Sequence, residues 1–307
     1  MPAPSTKSYT AGHFELMIDG HKSTAFLKSI EGGGVKANVS DEAVAGNTHR
    51  VKHMSTVDVE PFSLEFGMSG ANDVLQWIQG SWNRQWDRRN GSVTHADFNL
   101  KDSVETEFYN ALVTETTIPT LDATSKESGY LKCKIQPETV LTKKTGGQLK
   151  ALASPKQKLW TPSSFRLNID QVDDMQYTNK IESFTIKQSI KKFYTGAGRF
   201  PQCEPTKIEY PNISGTISLA YADQLLQWQR DYVEKGKKDK NAQRTGSIEF
   251  LSPDRKQTIF RINLFQLGLI QAAVMPSTAN QDQIKRVKFE MYVHRMELDG
   301  SGKLGFE

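Results

Sequence analysis

Residues of this 307-residue chain that could do chemistry are few, and their spacing decides against most of it. His49 and His53 stand four apart, with His13 and His21 earlier in the same half, a spacing that suits two metal ligands only on a helix. Val51 and the Gly46-Asn47-Thr48 stretch argue for extended or turning backbone, and no third ligand accompanies the pair, so surface histidines and no metal are expected. Gly32-Gly33-Gly34 could be imagined as a phosphate cradle, but no helix start follows it as a phosphate loop requires. Residues 81–92, SWNRQWDRRNGS, mix Trp82 and Trp86 with Arg84, Arg88 and Arg89, the composition of a base-stacking surface. A later segment, DYVEKGKKDKNAQRTGS, keeps the basic charge without the tryptophans, which favours a helix end and turn whose tryptophans anchor a subunit interface. No serine lies in a nucleophile elbow and no two carboxylates are set apart as acid and base, so no catalytic residue and no cofactor are expected.

The elements that carry these residues are written twice. FELMID at Phe14–Asp19 returns as FRLNID at Phe165–Asp170, an offset of 151 residues (165 minus 14). Ser29-Ile30-Glu31 answers Lys180-Ile181-Glu182, and VLQW at Val74–Trp77 answers LLQW at Leu225–Trp228, at the same offset. RNGSV at Arg89–Val93 answers RTGSI at Arg244–Ile248 with the offset grown to 155 (244 minus 89), and LKCKI at Leu131–Ile135 answers VKFEM at Val287–Met291. An ordered series of this kind marks an internal repeat. The two cysteines, Cys133 and Cys203, fall at non-equivalent places in it, so reduced packing thiols are expected rather than a duplicated disulfide or metal site.

Each copy reads as mainly β, an α+β class, with one helix. Phe14, Leu16 and Ile18 alternate with polar neighbours, as do Phe165, Leu167 and Ile169, and further period-two runs follow in both copies. Asp73 and Asp223 are positioned to cap a helix whose apolar stripe runs through Val74, Trp77 and Ile78, or through Leu225, Trp228 and Tyr232. The expected organisation is a flexible tail over 1–9, a first domain over 10–140, a linker over 141–162, a second domain over 163–298 and a C-terminal tail over 299–307. A net charge of +4 is too mild to argue for nucleic acid. With 37% apolar residues and a mean hydropathy of −0.55, a soluble chain is expected, with no membrane insertion and, from its polar start, no signal peptide.

FELMIDG, Phe26, the Ile30-Glu31-Gly32 turn, a polar extended segment, an FSLEF strand, the helix around LQW and RRNGSV together resemble the tail-tube protein family of contractile-tail phages and phage-derived injection systems. The resemblance covers roughly residues 12–140, and residues 163–298 follow it mainly through the first copy. It implies two tandem β-sandwich or barrel domains, each with a flanking helix, and a structural protein whose six ring places stack into a hollow tube. Three chains filling two places each would make a homotrimer with pseudo-sixfold symmetry, and six chains in two layers a homohexamer. The implied partners are further copies of the chain, sheath, baseplate and terminator proteins, and DNA or protein cargo passing through the lumen without specific binding. The implied location is a virion tail or injection particle assembled in the bacterial cytoplasm. Contact residues are expected in the arm-like loop over 31–59, at Gly32, Val35, Asn47 and Arg50; near the helix end, at Trp82, Trp86 and Arg89; and in the second loop over 187–210, at Tyr194, Arg199 and Phe200. A tube-end adaptor or baseplate hub is the alternative within the same class. A duplicated nucleic-acid- or carbohydrate-binding β-module is the alternative outside it.

Overall fold

The alternation of apolar and polar residues produces strands throughout a computed structural model that describes residues 12–43, 50–68, 70–149, 160–237, 243–276 and 284–299. The first half holds β1 (His13–Ile18), β2 (His21–Lys22), β3 (Leu27–Glu31), β4 (Val35–Ala43), β5 (Arg50–Val59) and β6 (Phe62–Phe66). Helix α1 (Asn72–Trp82) follows, then β7 (Arg89–Ala96), β8 (Asp102–Ile118), β9 (Leu121–Asp122), β10 (Leu131–Gln136) and β11 (Thr139–Lys144). The second half holds β12 (Phe165–Ile169), β13 (Thr178–Ile181), β14 (Phe184–Phe193), β15 (Gln202–Glu209) and β16 (Ile213–Ser218). Helix α2 (Asp223–Trp228) continues as a π-helical turn over Gln229–Glu234 and leads to β17 (Arg244–Leu251), β18 (Thr258–Val274) and β19 (Arg286–Leu298).

The two halves build sheets of the same strand order. The shared run is β1-β7-β8-β10-β6-β3 in the first and β12-β17-β18-β19-β16-β13 in the second; β2 extends the first beyond β1, and β9, which comes from the first half, extends the second beyond β13. Register agrees as well: Leu16 faces Val93 as Leu167 faces Ile248. Irregularities recur at matching places, between Leu27 and Ser29 as between Thr178 and Lys180, and between Ala37 and Val39 as between Gln188 and Ile190. Such bulges bend and twist a strand, so sharing them means sharing sheet curvature. Inside the long strands, Asn110 and Gln266 both carry positive φ values, 52° and 54°, at matching positions (266 minus 110 is 156).

The recurring R-x-G motif has a packing cause. A Cβ on Gly91 would strike the Met17 carbonyl oxygen and the Phe108 ring, and one on Gly246 would strike the Asn168 carbonyl oxygen, so only glycine lets the neighbouring strand approach. Two residues earlier, the Arg89 guanidinium lies 5.8 Å from the Trp77 ring, and that of Arg244 lies 4.9 Å from the Trp228 ring. Each arginine thereby covers the helix tryptophan that is buried on its own half.

Two sequence expectations are corrected. Asp73 and Asp223 do not cap: the N-cap residues are Ala71 and Ala222, and Asp73 sits in the first turn, accepting from Val74 N at 2.9 Å and Ser23 Oγ at 3.1 Å. A carboxylate there still favours the positive end of the helix. The segment expected as linker from 141 begins inside β11, which pairs with β8 from Thr139–Tyr109 to Lys144–Val104. Pro137, which has no backbone donor, divides β10 from β11 where the second half runs unbroken as β19. Trp160, near the end of that segment, is buried against Phe250 with ring centroids 5.4 Å apart. The tail over 1–9 lies outside the described residues, as does 300–307.

Candidate functional site: a paired strand edge and an open one

The loops over 31–59 and 187–210 are β-hairpin arms. In the first, β4 pairs only with β5 among the described residues, and nearly every residue of β4 is exposed. Its base is held by Gly33 N donating to Glu60 O at 3.3 Å and Glu60 N donating to Gly34 O at 2.8 Å. Gly32 and Gly33 take the left-handed backbone, at φ 91° and 76°, that turns the chain out of β3.

The second arm, β14–β15, does more. Besides pairing with β15, β14 adds to the edge of β8 that β7 has left: Phe184 faces Ile118, Thr185 faces Thr117, Ile186 faces Thr116 and Lys187 faces Glu115. The same stretch of β8 pairs on its other edge with β10. Ile186 is 2% exposed and lies beside Trp82, Val113 and Ile208. Thr117 and Thr185 hydroxyls meet at 2.8 Å, Ser183 Oγ donates to Ile118 O at 2.9 Å, and Tyr210 OH donates to Trp82 O at 3.4 Å. Arg88 donates to Cys203 O at 2.7 Å and to Glu204 at 3.0 Å, and Lys192 pairs with Asp58 at the root of the first arm. One half of the chain thus joins the other by strand addition, the main-chain ladder giving adhesion and the side chains register.

The corresponding edge of β18 is bare among the described residues. β17 covers β18 as far as Leu267, and from Gly268 to Val274 the strand pairs only with β19. Ala272 N donates instead to the side-chain Oε1 of Gln229 at 3.0 Å.

The predicted contact residues fall into distinct groups on this frame. Trp82 is buried where the halves meet, and Trp86, 39% exposed, donates through Nε1 to Gln188 at 3.4 Å. Arg89 serves its own half, with the Trp77 ring and with Asp19 at 3.7 Å. Gly32 shapes the first arm, while Val35 and Arg50 lie exposed on it. Tyr194 and Arg199 are exposed near the second arm's tip, and Phe200 packs partly against the core. Asn47 and His49 lie outside the described residues. His53 is an exposed side chain 3.5 Å from Glu42. The residues of β8, β14 and β18 that make or leave open the junction were not singled out; their only sequence mark is the matching 17-residue strand in each half.

Burial is the leading cause of shift at both thiols, at Tyr232 and at His95. Cys133 and Cys203 are free and buried, and burial pushes their thiols up to about 12 and about 11. Burial and the hydroxyl of Tyr292, 2.6 Å away, push Tyr232 up to about 12. Burial lowers the pKa of His95. Among the described residues no cluster of three or more His, Cys, Asp or Glu could hold a metal, and no helix is long and apolar enough to cross a membrane.

One family match falls on the first half. Residues 10–140 match the family model of the T4-like virus tail tube protein gp19, so this stretch is of tail-tube type. Among solved structures, the chain is similar to the sheath/tube terminator of the extracellular contractile injection system PVC, at 15% identity over 46% of this chain and 99% of that one, with a TM-score of 0.41. It is also similar to the tube-terminating cap of the anti-feeding prophage, at 16% identity over 47% and 97%, TM-score 0.40. A third is Hcp1 from Flavobacterium johnsoniae, at 11% identity over 46% and 98%, TM-score 0.27. No curated protein matches the chain in sequence.

Proposed function

We propose that this chain, tail-tube-like over residues 10–140, is a non-enzymatic building block of a contractile phage tail or injection system. It is a tandem duplication of the tail-tube domain, over 10–140 and 163–298, and it self-associates into rings that form a hollow conduit for DNA or protein. The observation that carries this reading is the repetition of strand order, register and bulges of the tail-tube-like half in the half that follows. Each chain then supplies two neighbouring ring places, already joined through β8 and β14, and three chains make a ring of six places. Sheath, baseplate and terminator proteins are its further partners.

A tube-end role is favoured over the tube body by the difference between the arms. The first turns out of its sheet through Gly32 and Gly33 in the left-handed conformation where the second runs as paired strand from Phe184, and Gln243 stands where Arg88 does, so successive ring places are unlike. Such a ring has threefold symmetry and suits the end of a sixfold tube. Electron microscopy of the purified protein, viewed down the ring axis and combined with solution mass, tests the proposal. Three chains per hollow ring are expected. Rings that stack without limit identify a tube body, and rings that stay single identify a tube end. Monomers at every concentration would overturn the reading.

A further inference from the structure

The junction between the halves is a template for a junction between chains. Residues of the first arm correspond to those of the second at an offset of 151, since Lys36 faces Asp58 as Lys187 faces Glu209, and both arms bulge at the matching place. Residues of β18 correspond to those of β8 at an offset of 156, since Ala272 faces Phe289 as Thr116 faces Cys133. Carried through both offsets, the contacts of Ile186 with Thr116 and of Lys187 with Glu115 become contacts of Val35 with Ala272 and of Lys36 with Gln271.

Within one chain these partners are apart, and the positions carry the marks of an unfilled interface. Val35 is 53% exposed where Ile186 is 2% exposed. Val274 is 52% exposed where its counterpart Ile118 is 1%, and Ile270 on the same edge is 41% exposed. The outward-facing amide of Ala272 is held by the Gln229 carboxamide, a side chain doing what the adjacent strand does in the other half.

We infer that β4 of one chain adds in antiparallel register to the open edge of β18 in a second copy, Val35 opposite Ala272 and Lys36 opposite Gln271, displacing Gln229 from the Ala272 amide. The inference rests on the self-association proposed above and gives it a residue-level interface. Val35 then lies beside Val233, Leu269, Ile270 and Ala272, the counterparts of the residues Trp82, Val113, Thr114 and Thr116 that surround Ile186. Pairing begins at Gly34, because Gly33, unlike its counterpart Phe184, is in the left-handed conformation. Gln243 stands where Arg88 does in the first half, so the contact between chains depends more on main-chain pairing and apolar side chains than the one within the chain. The contact is head-to-tail, with different surfaces on the two partners, and therefore generates a ring or an open chain rather than an isolated pair.

Disulfide capture tests the register. Opposed strand residues lie within the roughly 4.4–6.8 Å Cα separation a disulfide needs, whereas side chains on opposite faces do not meet. Full-length Lys36→Cys and Gln271→Cys chains are mixed under mild oxidation, with Lys36→Cys plus Ala272→Cys as the opposite-face control; the native thiols are buried. A disulfide-linked pair at least about tenfold more abundant than in the control is expected from that geometry. Val35→Asp is expected to weaken self-association at least about tenfold, as a charge placed in an apolar contact should, while leaving the melting temperature of the dilute chain unchanged. Rings by electron microscopy without the linked pair overturn the strand pairing and leave the tube reading standing. The linked pair without rings upholds the pairing and removes the tube. Failure of both overturns both.

Discussion

Two strands of 17 residues, β8 and β18, carry the same neighbours in the same order yet end in different circumstances. The last residues of β8 are sealed by β14 on one edge and β10 on the other, and the last residues of β18 have, among the described residues, β19 alone. The core of a half is therefore complete without its edge. What a half lacks is a neighbour, and the fused chain supplies one to the edge of β8 but, among the described residues, not to the matching edge of β18.

This contrast can be broken at its common part or at its unequal part. The largest effect is expected from removing the helix tryptophan of either half. Trp77→Ala and Trp228→Ala should each cost about 3–5 kcal/mol in chemical denaturation, and by similar amounts, because both rings are buried and both lie beneath an arginine. A large inequality between them would show that the halves do not share one packing scheme. Next in size is a pair of substitutions at matching positions. Ile186→Ala should destabilise the chain by about 2–5 kcal/mol, and Val35→Ala, in a chain dilute enough to be monomeric, by no more than about 0.5 kcal/mol. Equal costs would mean that the first arm is already docked within its own chain. The smallest expected effect is on the thiols. With Cys133 pushed up to about 12 and Cys203 to about 11, both remain protonated at pH 8, so a thiol reagent should label neither until the protein unfolds. Rapid labelling of Cys203 alone would reveal that β15 opens from the junction while the rest of the first half stays closed.

Much of the fold was legible because its signals are local. FELMID and FRLNID mark strands by alternation, VLQW and LLQW mark a helix stripe, and the glycine of RNG and RTG is demanded by a neighbouring backbone oxygen. The junction was not legible, because pairing between Phe184 and Ile118 joins residues whose own alternation says nothing about their partner. The polar loop over 31–59 concealed a hairpin because, beyond the buried Val57 and Val59 at its root, both faces of that hairpin are exposed, which erases the apolar alternation that would announce it. The strand after Pro137 was hidden differently: TVLTKK reads as the start of a charged connector, and only its ladder with β8 reveals it as the remainder of an interrupted strand. Trp82 and Trp86 were expected at an interface between subunits, and both stand at the meeting of the two halves of one chain.

The covalent link between the halves alters how a ring could be built. Contacts between tethered partners form at an effective concentration on the order of millimolar, so the β8–β14 contact is present at any dilution. Of the edge contacts around such a ring, every second one is then made during folding, and only the alternate ones wait for encounter between molecules. A ring from three fused chains would close after two bimolecular steps instead of five. Its onset would depend on a lower power of protein concentration than that of a ring built from single domains.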